Sequence, residues 1–286
     1  MKAKSLFLLG LSAVALASCG GVKGYKTEVK NKVFKEEIEK ILDSSILLDL
    51  DENFSFEIEA TSESKTVETY LKNGKDLSEK ITVSKSESNV RYDSNNYVIR
   101  SEGTYDSREI EEDREKIETF DGEMVYQKDK KNTYEINLET KLYEKEAASN
   151  PEEAIHSNAA AKISAIRYAL SSMEMSGDDV KDFIDENVYT CEITTNEESD
   201  KTSKKGKTVY QVVVESDRIS FFSESQVTLK ALNYTEVIKD KGSFILTKKN
   251  VTLKEVDLEK YLENSNTDEV DYTYLPKISD EMFFVL

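Results

Sequence analysis

In Phe54-Ser55-Phe56-Glu57-Ile58-Glu59-Ala60 apolar and polar residues alternate without a break, the period of a strand with one covered face and one wet face. Further strand-like runs cover 66–72, 80–85, 96–105, 116–120, 124–128 and 132–138, then 189–194, 208–215, 226–239, 243–247 and 251–254. Most are separated by Asn, Asp, Ser and Gly, the residues of turns. Long crossover helices between successive strands are missing within each group, which predicts antiparallel pairing. Asp121-Gly122 reads as a tight hairpin turn, because Gly accepts the positive φ that such a turn demands. Lys204-Lys205-Gly206-Lys207 and Lys239-Asp240-Lys241-Gly242 read as linking loops.

Two segments change to a helical period. Phe34, Ile38, Ile41, Leu42 and Ile46 fall on one face of a helix predicted over 31–49. Asn150 is a candidate N-cap, with Pro151 at the first helical position and Glu152 and Glu153 at the positive end of the helix dipole. Ile155, Ala159, Ile163, Ile166, Leu170 and Met173 then recur every three or four residues, and Ser176-Gly177 ends the run. A shorter helix is predicted over 178–186. The alternation of the strands needs a cover for one face, and the helices are its natural source.

The chain begins with Lys2 and Lys4 and continues through an uncharged stretch from Leu6 to Leu16. That is the pattern of a secretory signal, and it is shorter than the roughly 20 apolar residues of a membrane span. Leu16-Ala17-Ser18-Cys19 resembles the lipobox of bacterial lipoproteins. The resemblance implies removal of residues 1–18 and acylation of Cys19, which becomes the first residue of a lipid-anchored protein facing outside the cytoplasm at the cell membrane. Residues 19–27 then read as a flexible tether, and 28–286 as a single β-rich domain with a helical insert near 151–186.

The segment Ile117-Glu118-Thr119-Phe120-Asp121-Gly122-Glu123-Met124-Val125-Tyr126-Gln127-Lys128-Asp129 is similar to a hairpin of the LolA-like lipoprotein carriers. That resemblance implies an α+β fold: a curved antiparallel β-sheet of about ten strands wrapped around an N-terminal helix and a central helical insert. It also implies an apolar groove for acyl chains. Ile155, Ile163, Ile166 and Leu170 of the insert are the candidate lining of groove or core.

Chemistry is sparse. Lys and Arg number 39 against 57 Asp and Glu, a formal net charge of -18. Nucleic acid is therefore not an expected partner, and the same charge is expected to repel anionic headgroups and cell-wall polyanions, so that the globular part stands off the membrane on its tether. Of the two cysteines, Cys19 is committed to acylation, so Cys191 has no partner for an intramolecular disulfide. His156 is the only histidine; Ser-His and Cys-His catalysis have that one base to draw on, and a His/Cys zinc site is excluded by count. Asp49-Leu50-Asp51-Glu52-Asn53 begins like a calcium loop, but Phe54 stands where the loop needs Gly and Ala60 where it needs Glu. The strand tyrosines are expected to pack across strands. No metal or cofactor is expected. The reading is a monomeric, non-catalytic binding protein tethered through Cys19, for an apolar ligand or lipidated client. Its alternative is a protein-interaction or adhesion module with an acidic outer face.

Overall fold

A computed structural model describes residues 54–72, 76–112, 114–171, 179–185, 188–259 and 261. The leader, Cys19, the tether and the helix predicted over 31–49 lie outside the described residues. The strands are β1 (Phe56–Lys72), β2 (Asp76–Asp93), β3 (Val98–Glu111), β4 (Arg114–Lys128), β5 (Asn132–Asn137), β6 (Tyr143–Ala147), β7 (Asp179–Asp185), β8 (Val188–Glu198), β9 (Thr202–Val214), β10 (Arg218–Ala231) and β11 (Tyr234–Lys248). One long helix, α1 (Pro151–Ser171), stands between β6 and β7.

All eleven strands form one antiparallel sheet in the order β6-β5-β4-β3-β2-β1-β11-β10-β9-β8-β7. Two meanders, β1 to β6 and β7 to β11, meet where β1 pairs with β11 over the register Phe56↔Lys248 to Tyr70↔Tyr234. The segment containing α1 carries the chain from one edge strand to the other, and the sheet does not close into a barrel.

The expected α+β fold, with a sheet of about ten strands wrapped around two helices, is corrected. The described residues are mostly antiparallel strand with α1 as the one long helix, and the helix predicted over 178–186 is strand β7. Asp178 to Glu186 carries acids at a spacing that suits either period, and pairing with β8 decides the outcome, Val180 facing Ile193 and Ile184 facing Tyr189. The predicted strand over 251–254 is not a strand.

Asp121-Gly122 is no turn but the middle of β4, with Gly122 opposite Gly103. A Cβ on Gly122 would lie 2.6 Å from Phe120 Cζ, so the Phe120 ring occupies the space over the glycine. The Asp-Gly turn of the segment similar to the carrier hairpin is therefore not formed there. The real turn lies between Glu111 and Arg114, inside the charged run 109–118, with Glu112 at φ 54°.

The core explains why the sheet has a proximal end and a distal end. Phe56, Ile58 and Ala60 of β1, Tyr92, Ile99, Tyr210, Val212, Ile219, Phe221, Phe244 and Leu246 share one face with the α1 residues Ile155, Ala159, Ile163, Ile166 and Leu170 in a single buried cluster. We call this the inner face. Tyr210, Phe221 and Phe244 stack across β9, β10 and β11, with centroids 6.1 and 5.2 Å apart. As predicted, Asn150 caps α1: its Oδ1 accepts from Glu153 N at 3.4 Å, and its Nδ2 donates to Glu153 Oε2.

The proximal outer face has its own cover, the segment after β11. Val251 and Leu253 pack with Val98 and Val125, joined by Leu138 and Val256. Gln127 binds Val256 reciprocally, Nε2 to the carbonyl at 2.8 Å and Oε1 to the amide at 2.7 Å. Leu253 N donates to Asp93 Oδ2 at 2.9 Å, and Tyr261 OH to Asn137 O at 2.9 Å. Asp93, fully buried, also accepts from Asn95 N and from both nitrogens of Asn96.

Candidate interaction surface

Beyond Ala60 the middle of the inner face turns polar. In the next row Ser223, Gly242, Ser62 and Ser86 stand between Tyr210 and Tyr105, and the row after that is Thr208, Ser225, Asp240, Ser64, Ser84 and Ser107. Hydroxyls satisfy one another here: Ser62 Oγ lies 2.9 Å from Ser86 Oγ, and Thr208 Oγ1 lies 3.0 Å from Ser225 Oγ. Ser64 donates to Asp240 at 2.5 Å. Burial pushes the Asp240 carboxyl up, and the Ser64 bond partly opposes that. Further out, Tyr234 OH donates to Glu68 and Tyr70 OH to Glu111, so acids on this face are held by tyrosines.

The outer face of the distal half is different. Register lines up Lys207, Gln226, Lys239, Lys65, Val83, Arg108 and Ile117 in one row across β9, β10, β11, β1, β2, β3 and β4. All seven are exposed, with Val83 at 41% and Ile117 at 62%. The row contains no acid. Its centre is Lys65 directly opposite Lys239, a like-charge cross-strand pair that destabilises a sheet. Among the described residues neither lysine side chain has an ion pair or hydrogen bond, whereas Lys207 pairs with Glu192 at 2.8 Å and Arg108 pairs with Glu115.

One row nearer the core, Glu224, Lys241, Glu63, Lys85 and Asp106 alternate in sign, with Lys241 bonded to Glu224 at 3.2 Å. One row further out, Val237, Val67, Ile81 and Ile110 are half-buried neighbours. The outer face of the distal half thus carries an alternating row, a basic row and an apolar row side by side.

The residues predicted as groove or core lining are Ile155, Ile163, Ile166 and Leu170, and all four are at most 3% exposed. They are packed core. Cys19 lies outside the described residues. Cys191 is a buried free thiol. His156 Nδ1 lies 3.2 Å from Tyr92 OH, and burial pushes that phenol up to about 12; the pair bridges α1 to β2. Tyr92, Tyr134 and Tyr210 are buried, in line with tyrosines that pack across strands. Among the described residues no three His, Cys, Asp or Glu side chains converge to hold a metal ion, and no helix is long and apolar enough to cross a membrane.

Sequence reasoning missed the basic row because its members come from distant strands and align only through register. The local trace is the Lys-x-Lys spacing of Lys205-Gly206-Lys207 and Lys239-Asp240-Lys241, which puts both lysines of each pair on one face of a strand.

No family model matches the chain, and no curated protein matches it. Among solved structures, the translocator domain of autotransporter NalP from Neisseria meningitidis aligns over 77% of this chain and 99% of its own, at 8% identity and a TM-score of 0.20. A score that low carries no argument about fold or function.

Proposed function

We infer that this chain is a membrane-tethered binding protein outside the cytoplasm, without a catalytic role, anchored by an acylated Cys19 and using the outer face of its distal sheet to meet a partner. The observation that supports the binding surface is the exposed row from Lys207 to Ile117. A sheet is stabilised by the face it buries, and this row stays exposed among the described residues. Unopposed lysines and an exposed Ile and Val there cost stability, so contact with a partner is the return that accounts for them. An apolar ligand would need open apolar side chains on the inner face, and the four candidates are instead closed in the core.

The test uses the chain's own thiols. Fatty-acid labelling in a bacterial host is expected for the wild type and lost in Cys19→Ala; a labelled Cys19→Ala chain contradicts the tether. Val83→Cys places a thiol on the outer face, while Cys191 is buried and contributes no background. A membrane-impermeant maleimide is expected to label Val83→Cys on intact cells, or on spheroplasts where a second membrane intervenes. Absence of labelling in both contradicts the proposed location or the open face.

A further inference from the structure

We propose that the basic row binds a linear anionic polysaccharide, a sugar chain bearing sulfate or carboxylate groups, laid across the strands from β9 to β3. The proposal rests on the reading of the distal outer face as a binding surface and names what it binds.

Charge arrangement carries the argument. In a chain of formal net charge -18, Lys207, Lys239, Lys65 and Arg108 share one exposed row free of acids; the outer two pair with Glu192 and Glu115 of neighbouring rows, and the central two have no ion pair among the described residues. Neighbouring strands lie about 4.8 Å apart, so the row extends about 24 Å from β9 to β3 while being one residue wide. Lys65 and Lys239 face each other, and among the described residues neither side chain has an ion pair. An anion seated between them removes the repulsion that the free protein carries.

The shape of the charged zone selects the partner. The adjoining row, in which Glu224, Glu63 and Asp106 alternate with Lys241 and Lys85, lies about 7 Å away along the strands. A bilayer surface would press on both rows and meet those acids, whereas a single polymer chain follows the basic row alone. The opposite flank offers Val237, Val67, Ile81 and Ile110, with Val83 in the row itself. These suit the C–H faces of sugar rings. Single-stranded nucleic acid binds through aromatic platforms for its bases, and these three rows contain no aromatic residue between β9 and β4. Gln226 adds an amide between Lys207 and Lys239 for a hydroxyl or sulfate oxygen.

Heparin serves as the probe. The full chain in detergent is titrated calorimetrically at about 0.05 M and 0.15 M salt, where a contact of several charges weakens severalfold. Binding is expected, and Lys65→Glu with Lys239→Glu is expected to weaken it at least tenfold. Lys254→Glu, away from the row, is expected to leave it unchanged. Single Lys65→Glu puts an acid opposite Lys239, so its thermal midpoint holds or rises while binding falls, which separates lost affinity from lost fold. Wild-type chain that ignores heparin, or binding that survives the double change, overturns the proposal. So does equal affinity for phosphatidylglycerol vesicles by the Cys19→Ala chain, or for a single-stranded oligonucleotide of matched charge. Failure here with acyl labelling and Val83→Cys labelling intact removes the polysaccharide and leaves the tethered binding protein standing.

Discussion

Gly206 and Gly122 both interrupt strands, for different reasons, and the difference is measurable. A Cβ on Gly206 would meet the Gln226 carbonyl oxygen at 2.5 Å and Val227 Cα at 2.9 Å, both backbone atoms of β10. On Gly122 it would meet the far end of the Phe120 ring, which can swing away. Gly206→Ala should therefore destabilise by about 1–3 kcal/mol through forced backbone movement, and Gly122→Ala by less; chemical denaturation of both variants checks the order. Asp129 supplies a pH prediction. It accepts from Lys131 N at 2.7 Å, Asn132 N at 2.8 Å and Tyr134 OH at 2.7 Å in the β4–β5 turn, and these donors hold its carboxyl far below the usual carboxylate range. Because the folded pKa is depressed, the stabilisation is complete above the unfolded value of about 3.9 and is lost as pH falls from there toward the folded value. Asp129→Asn should flatten the fall in stability below about pH 4, and an unchanged acid limb contradicts this assignment. At this scale the sequence was partly legible: the Asn150 cap and the apolar positions of α1 could be read directly, because local hydrogen bonds and helical spacing create them. Asp121-Gly122 misled, because its role depends on Phe120 folding over it and on Gly103 across the strand pair.

Among elements, α1 and the segment after β11 clamp the proximal sheet from opposite faces. Ile163, 1% exposed in the centre of α1, should lose about 2–5 kcal/mol on truncation to Ala, the range for a packed site that cannot collapse. A cost well under 1 kcal/mol would mean an open groove, and denaturant titration decides between them. On the other face, Gln127→Ala removes both bonds to Val256, and faster amide exchange is expected at Val256 with that of β9 unchanged. The strands themselves show why the sequence was readable at one end of the sheet and opaque at the other. Phe54 to Ala60 alternates because one of its faces joins the core under α1 while the other carries the polar side chains of Ser55, Glu57 and Glu59. In Lys239-Asp240-Lys241-Gly242 the outer positions are lysines and the inner ones Asp and Gly, so no apolar residue marks the period. Lys204 to Lys207 has the same character within β9. Strand interiors without an apolar partner look like loops, and only pairing with β1 and β10 reveals them.

On the scale of the whole molecule, the acidic total of -18 suggested a uniform repulsion of anions. Register instead gathers cations into one exposed row free of acids, beside a row on the same face in which Glu224, Glu63 and Asp106 alternate with Lys241 and Lys85. Net charge sets the distant field, while a partner in contact meets the local one within a Debye length of about 8 Å. The basic row exists only if the distal sheet is continuous through its two lysine-rich segments, with 204–207 and 239–242 as paired strand. Amide hydrogen exchange of the full chain measures this directly. Pairing predicts amides at Lys239 to Gly242 and Lys204 to Lys207 protected at least a hundredfold over the turn residues Asp200 and Lys201, which lie between β8 and β9. Exchange in both segments as fast as in that turn would make them loops, dissolve the row, and contradict the account.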